Sequence, residues 1–296
     1  MTSEDGERWK PLAKKVLHRL AVLCVIAFIL APIYVLFLVS VTQQSTELSG
    51  TPQWLPSVTW ANFAAVLHDW QHFFGSIPAT SSASLVLPGL RNSLEVAIPV
   101  ALVNMLIAAP VGYAFGRLRF PGRRLLALGM LATQMLPSLV LVLPFFVLFK
   151  HVGLTNSLVG VGIADLSITL PFTVWIISNA IQDVPTELER AARVDGLSRL
   201  GSIVRVALPL ARSGIRTGGL FAFLFSWNDL IFPLILIVSP NLIMIQPAIA
   251  GMYSDIAYNF GPMSAAAILA IIPPLLIAVS ALRSLAKGLM SGAVKG

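Results

Sequence analysis

The chain has 296 residues, of which 56% are hydrophobic and only 11% charged, with a mean hydropathy of +0.84. A water-soluble domain carries about 25% charged residues, so a soluble globular fold is excluded. The net charge is +7, and where the basic residues fall decides whether that excess faces nucleic acid or lipid.

Apolar blocks of about 20 residues recur, the length that crosses a ~30 Å hydrocarbon core as helix. They predict an all-α polytopic membrane protein, residues 1–296 forming a single transmembrane domain. Its six spans cover about 18–41, 93–115, 125–149, 162–181, 214–238 and 263–283. The first span follows Arg8, Lys10, Lys14, Lys15 and Arg19. Its apolar run is too long for the core of a secretory signal and no A-x-A site follows, which predicts a retained anchor. Cys24, the single cysteine, offers no disulfide framework and no cysteine-based metal site.

Residues 42–90 contain no Lys or Arg. Trp54, Trp60, Trp70, Phe73 and Phe74 suit a short amphipathic piece at the membrane surface, where aromatic rings are favoured. His68 and His72 stand four apart, a spacing that metal ligands use, but two histidines are too few for a site. No metal is therefore expected.

Further along, the spans contain Pro99, Pro110, Pro137, Pro144, Pro171, Pro233, Pro273 and Pro274. Each proline frees a backbone carbonyl that neighbouring helices must satisfy. Polar side chains at membrane depth are candidates either for a translocation pathway or for helix–helix adhesion. Gln134 and the "LFSWNDLIF" cluster, with Ser226, Trp227, Asn228 and Asp229, are read as pathway candidates. Asn104 and Asn179 are read as adhesive.

The stretch "PTELERAARVDG", residues 185–196, is unlike its surroundings. Thr186 is placed to cap a helix, with Glu189 three residues on as in a capping box. Glu187 and Glu189 complement the helix dipole in the first turn. Leu188, Ala191 and Ala192 form a narrow apolar stripe, and Gly196 is placed to stop the helix at positive φ. Ser198 then caps a second helix ending near Pro209. Residues 182–212 thus read as helix, bend and helix, either a connector packing its stripe on its own protein or a docking element stiff enough to transmit force from a cytoplasmic partner.

Basic residues collect in alternate loops, eighteen against two, with Arg91 and Lys150 on the minority side. Cytoplasmic loops carry such an excess, which predicts both termini inside. The basic charge then reports orientation and anionic lipid, not nucleic acid. No Gly-Lys dipeptide occurs, hence no phosphate-binding loop, and the energy for transport must come from elsewhere. An ion-coupled carrier would need paired acids or histidines within spans, and none is evident in the sequence.

These residues carry a resemblance. The loop is similar to the hallmark of the membrane subunits of bacterial ABC importers, E-A-A-x-x-x-G followed by nine residues, an aliphatic, any residue and Leu-Pro. Ala191, Ala192, Gly196, Val206, Leu208 and Pro209 match it, with the usual Asp195 before the glycine. Arg190 stands where the pattern has glutamate, reversing the charge. "RNSL", "RFPGRRLL", "WND" and the terminal "GLMSGAVKG" resemble the carbohydrate-importer permeases, in particular the second permease of maltose-type systems.

The resemblance implies a non-enzymatic permease subunit in a bacterial inner membrane. Its partners would be a sister permease, two cytoplasmic ATPase subunits that bind ATP and Mg, and an extracytoplasmic solute-binding protein delivering a carbohydrate. Glu187, Glu189, Arg190, Ala191, Ala192, Asp195, Gly196, Leu208 and Pro209 would couple to the ATPase. The tail 284–296, through Ser291, Gly292 and Lys295, would reach the ATPase interface, and segment 240–262 would face the binding protein. No cofactor is expected on the chain itself. A permease for an amino acid, polyamine or oxyanion, and an ion-coupled carrier acting alone, are the alternatives.

Overall fold

The computed structural model describes residues 5–42, 58–67, 82–254 and 260–293, and all the regular structure among them is helical. The helices are α1 (Asp5–Ser40), α2 (Ala61–Leu67), α3 (Val86–Arg117), α4 (Arg123–Thr133), α5 (Ser138–Val152) and α6 (Leu158–Gln182). They continue as α7 (Thr186–Val194), α8 (Arg199–Ser202), α9 (Arg212–Asn228), α10 (Ile231–Leu236), α11 (Ile245–Ser254) and α12 (Phe260–Ala293). Trp54, Trp70, Phe73, Phe74, His68, His72 and Lys295 lie outside the described residues.

Among the described residues, four segments are long and apolar enough to cross a membrane unbroken: Lys14–Ser40, Val86–Arg117, Leu158–Gln182 and Phe260–Ala281. The expected third and fifth spans are instead broken. Helices α4 and α5 meet at 98° across a four-residue gap, and α9 gives way to α10 at Asp229, whose backbone is extended (φ −69°, ψ 125°). Both breaks fall shortly before a proline. A proline ring clashes with the carbonyl four residues earlier, and α4 ends at Thr133, four before Pro137, while Asp229 is four before Pro233.

The other predicted prolines leave their helices running, with Pro99 and Pro110 inside α3, Pro144 inside α5, Pro171 inside α6 and Pro273–Pro274 inside α12. What marks the two breaks is a side chain standing in for the lost ladder. Gln134 Nε2 donates to Ile168 O at 2.9 Å, tying the first break to α6. Asp229 Oδ1 accepts from the Ile231 N–H at 3.1 Å, capping α10.

The core is a trio of helices, α3, α6 and α9, brought close by small residues. A Cβ at Gly112 would lie 2.8 Å from Ile177 Cγ2, and one at Gly116 would lie 2.8 Å from Ile181 Cγ2. On the third side, a Cβ at Gly218 would come within 2.7 Å of Thr173 Cγ2, and one at Gly214 would collide with Ala180. Close backbone approach of this kind is how helices associate in lipid, where no hydrophobic gain drives them together. Asn104, fully buried, donates to Thr169 Oγ1 across α3 and α6 at 2.5 Å, in line with its adhesive reading. Asn179 is exposed.

Around this trio, α12 packs on α9, α11 and α2, while α1 lies on α12 with most of its surface exposed. Segment 237–245, between α10 and α11, is held by side chains from two other elements. Asn156 Oδ1 accepts from the Val238 and Ser239 N–H groups at 3.0 and 2.9 Å. Asn92 Nδ2 donates to the carbonyls of Asn241 and Ile243, and Ser93 Oγ accepts from the Ile245 N–H.

Candidate functional site

The polar segment beginning at Pro185 forms the expected elbow. Helix α7 ends where Gly196 takes φ +95°, a conformation open to glycine because it lacks the Cβ that meets the following carbonyl. The Leu197 N–H then closes on Ala192 O at 3.0 Å, as in a helix stopped by a left-handed residue. Ser198 caps α8, its Oγ accepting from the Gly201 N–H at 3.0 Å. The chain continues through a π-helical turn, Ile203–Ala207, and a last turn, Leu208–Leu210. That widened turn lies just before Pro209, where the helical ladder loses a donor.

The expected cap of α7 is corrected. Pro185 is the N-cap and Thr186 the first helical residue, its hydroxyl donating to Glu187 Oε1 at 3.0 Å. The Glu187 carboxyl sits below its ordinary range, through its own backbone N–H first and the Thr186 hydroxyl next. Glu189 is no capping-box partner. Its side chain points away from the helix start, to the end of α3. It accepts from Tyr113 Oη on Oε2 at 2.8 Å and from Arg117 Nε on Oε1 at 3.0 Å.

Both members of the Arg117–Glu189 pair are nearly buried, with side-chain exposures of 11% and 10%. Arg117 also donates from Nη2 to Val184 O, in the turn between α6 and α7. Removing one partner of a buried ion pair costs about 3–5 kcal/mol, because the other charge is left uncompensated. One helix face therefore attaches α7 to its own chain.

The remaining faces are open. Glu187, Leu188, Arg190, Ala191, Arg193, Val194 and Asp195 are all exposed, Val194 at 87%. The predicted stripe is thus split, with Ala192 buried inward while Leu188 and Ala191 face out. Arg190 projects on the outer face, one residue from the inward-turned Glu189.

The pathway candidates separate as well. Trp227 is buried, its Nε1 donating to Ala270 O at 3.2 Å, and it lines the inner wall of the groove between α9 and α12. Asn228 is exposed and returns a hydrogen bond to Leu224 O within its own helix. It borders the same groove, whose other polar side chain is Gln246. Gln134 stands at the α4–α5 break, its Nε2 bonded to Ile168 O. Ser291 and Gly292 fall within α12 itself, since the helix runs on to Ala293.

Asp229 has a partner that the sequence reading missed. Asp165, in α6 and with no exposed surface, lies against the Asp229 carboxyl and accepts from Ser226 Oγ on Oδ2 at 2.5 Å. Asp165 Oδ1 and Asp229 Oδ2 are buried with no partner outside the pair, so the two carboxyl groups are left to each other. Paired acids thus do occur within the predicted spans, Asp165 in α6 and Asp229 at the α9–α10 break, correcting the expectation. The signal was present: Asp165 is a lone carboxylate in an apolar run, the same cue that marked Asp229. Tyr113 and Arg117 were also missed, one an apolar-looking residue within a span and the other read only as topological charge. Among the described residues no group of three or more His, Cys, Asp or Glu side chains could hold a metal ion.

Comparison with known proteins places this geometry. Residues 108–291 match the family described as the binding-protein-dependent transport system inner membrane component. The trehalose transport system permease protein of Mycobacterium tuberculosis is 30% identical over 92% of this chain and 94% of its own length. The diacetylchitobiose uptake system permease protein of Streptomyces coelicolor is 31% identical over 90% of this chain and 91% of its own. A bacterial ABC transporter involved in the import of the acidic polysaccharide alginate contains a chain of like fold. Its TM-score is 0.70 at 21% identity, covering 96% of this chain and 98% of that one.

Proposed function

This chain belongs to the inner membrane components of binding-protein-dependent transport systems, and from that premise we propose that it is the permease subunit of an ATP-driven carbohydrate importer. As a family member it is a multi-pass transport subunit of an ABC importer and not an enzyme. With a sister permease it would form the pathway for a sugar handed over by an extracytoplasmic solute-binding protein. Two cytoplasmic ATPase subunits would bind the ATP and Mg. The sugar assignment draws its support from relatives that align along nine-tenths of the chain and are named for trehalose and diacetylchitobiose transport.

In this reading the whole chain is one six-span domain with both termini cytoplasmic, the α4–α5 and α9–α10 pairs serving as its third and fifth spans. The basic bias of alternate loops supports that orientation. Helix α7 is the coupling helix, and the observation that carries this is its two-sided character. Glu189 and Ala192 root it in the chain, while Leu188, Arg190, Ala191 and Val194 stand uncovered. An exposed apolar patch rimmed by charge marks a protein interaction site. Glu187 and Asp195 flank that surface, Gly196 sets its angle, and Leu208–Pro209 closes the elbow. Ser291, Gly292 and Lys295 would serve the same ATPase interface, and Asn228 is the polar side chain proposed to border the pathway. Glu189 acts here by holding α7 from within and not by touching the ATPase.

The test is purification of the native complex, its reconstitution in proteoliposomes and uptake of a panel of oligosaccharides and disaccharides with and without internal ATP. Sugar uptake that requires both ATP and the binding protein is expected. The Asp165–Asp229 pair is the one observation on the side of ion coupling, and cation-driven uptake by this chain alone would overturn the reading.

A further inference from the structure

We propose that Tyr113 and Arg117 make α3 a second driven helix, so that a tilt of α7 moves α3 and α6 as one body. The inference rests on the reading that α7 docks the ATPase. Connectivity alone would join α7 to α6, through the turn at Asp183–Pro185, and leave α7 free to pivot at Gly196 on its other side. The observed bonds remove that freedom. Glu189 is gripped by both Tyr113 and Arg117, and the same guanidinium reaches Val184 O in the turn. One side chain at the end of α3 therefore fixes both the helix and the joint from which it springs.

Packing carries the displacement onward. Ile177 and Ile181 of α6 sit over Gly112 and Gly116 of α3, at distances that leave no room for a methyl group. Each isoleucine is thus seated in a notch one turn from the next, and sliding of one helix along the other would drive it into the rim. Tyr113 shares a buried cluster with Ile177, Ile181, Val184, Ala207 and Ala211, which also bonds the far arm of the elbow to the same pair of helices. Tyr113 and Arg117 are in this sense positioning residues, acting on transport through Glu189 without touching solute or nucleotide.

Arg117→Met and Tyr113→Phe variants of the complete transporter, reconstituted with its binding protein, separate this role from a merely structural one. Uptake and ATP hydrolysis are measured in the same proteoliposomes. The expected result is a rise in ATP consumed per solute on the order of tenfold for Arg117→Met, in the range of typical intersite coupling, with a smaller rise for Tyr113→Phe. A purely structural role would lower assembly and both activities in step, leaving the ratio unchanged, and that outcome overturns the proposal. Should Arg117→Met fail to assemble, Tyr113→Phe, which removes one hydroxyl, decides alone by the same ratio. A Val194→Cys variant on a Cys24→Ala background reports on docking separately. Its cross-linking to the ATPase with an unchanged ratio defeats only the two-helix drive, whereas no cross-link defeats the docking reading and the proposal with it.

Discussion

Gly196 is the residue on which the elbow turns. Nothing lies within 4 Å of where its Cβ would be, so space does not explain the glycine; its φ of +95° does. Left-handed backbone costs an ordinary L-residue about 1–2 kcal/mol, and β-branched residues are the least suited to it. Gly196→Val is therefore expected to open the bend and abolish ATP-driven uptake while membrane insertion, measured by fractionation and protease protection, stays normal. Gly196→Asn, a residue that tolerates this region, should retain most of the uptake. Equal transport by both variants would show that the bend angle is immaterial. Ser226 poses a different demand at the same scale. Its hydroxyl donates to Oδ2 of Asp165, a carboxyl with no exposed surface. Ser226→Ala should lower the thermal stability of the detergent-purified complex, since a buried acceptor left unmet costs about 1–3 kcal/mol. An unchanged melting temperature would argue that Asp165 finds its partner elsewhere.

Among the elements, α3 and α6 show what sequence could and could not reveal. Their presence was readable from hydropathy, because lipid demands a continuous apolar run and little else mimics one, while α3 begins at Val86, ahead of the run that marked it. The breaks at Thr133 and Asp229 were not readable, because prolines at other positions in the spans leave their helices running and only tertiary contacts distinguish the cases. Gly196 and Ser198 were placed correctly from local chemistry alone, since a positive φ and an N-cap need no distant partner. Glu189 was misassigned for the opposite reason. A capping box was the nearest local use for it, whereas its real partners, Tyr113 and Arg117, lie more than 70 residues away in the chain. Asp165 was overlooked although its cue was local. The notch at Gly112 provides the element-scale prediction. Gly112→Val forces atoms into Ile177, and overpacking of this kind costs about 1–3 kcal/mol. The melting temperature of the purified complex should fall, and Ile177→Ala should restore part of the loss. Strict additivity of the two changes would mean that the helices do not interlock there.

For the molecule as a whole, the reversed charge at Arg190 concerns the assembly. It faces outward beside Glu187 and Arg193 while Glu189 turns inward, so under the proposed docking it would meet an acid on the ATPase. Arg190→Glu is expected to weaken complex formation and uptake, and an acidic-to-basic substitution at the matching position of the ATPase should restore both. Rescue failing at every acid within reach of a cross-linker on residue 190 would mean the arginine is not read by the partner.

The inward turn of Glu189 has a consequence for how such machines diversify. Because the grip of α7 on its own chain and the surface it shows to a neighbour occupy different sides of one short rod, the two can drift independently. Under the proposed docking, a sign such as that at Arg190 could be flipped while the root stays unchanged. A plug whose prongs can be recut without loosening its socket lets one ATPase serve many permeases, or one permease change its ATPase.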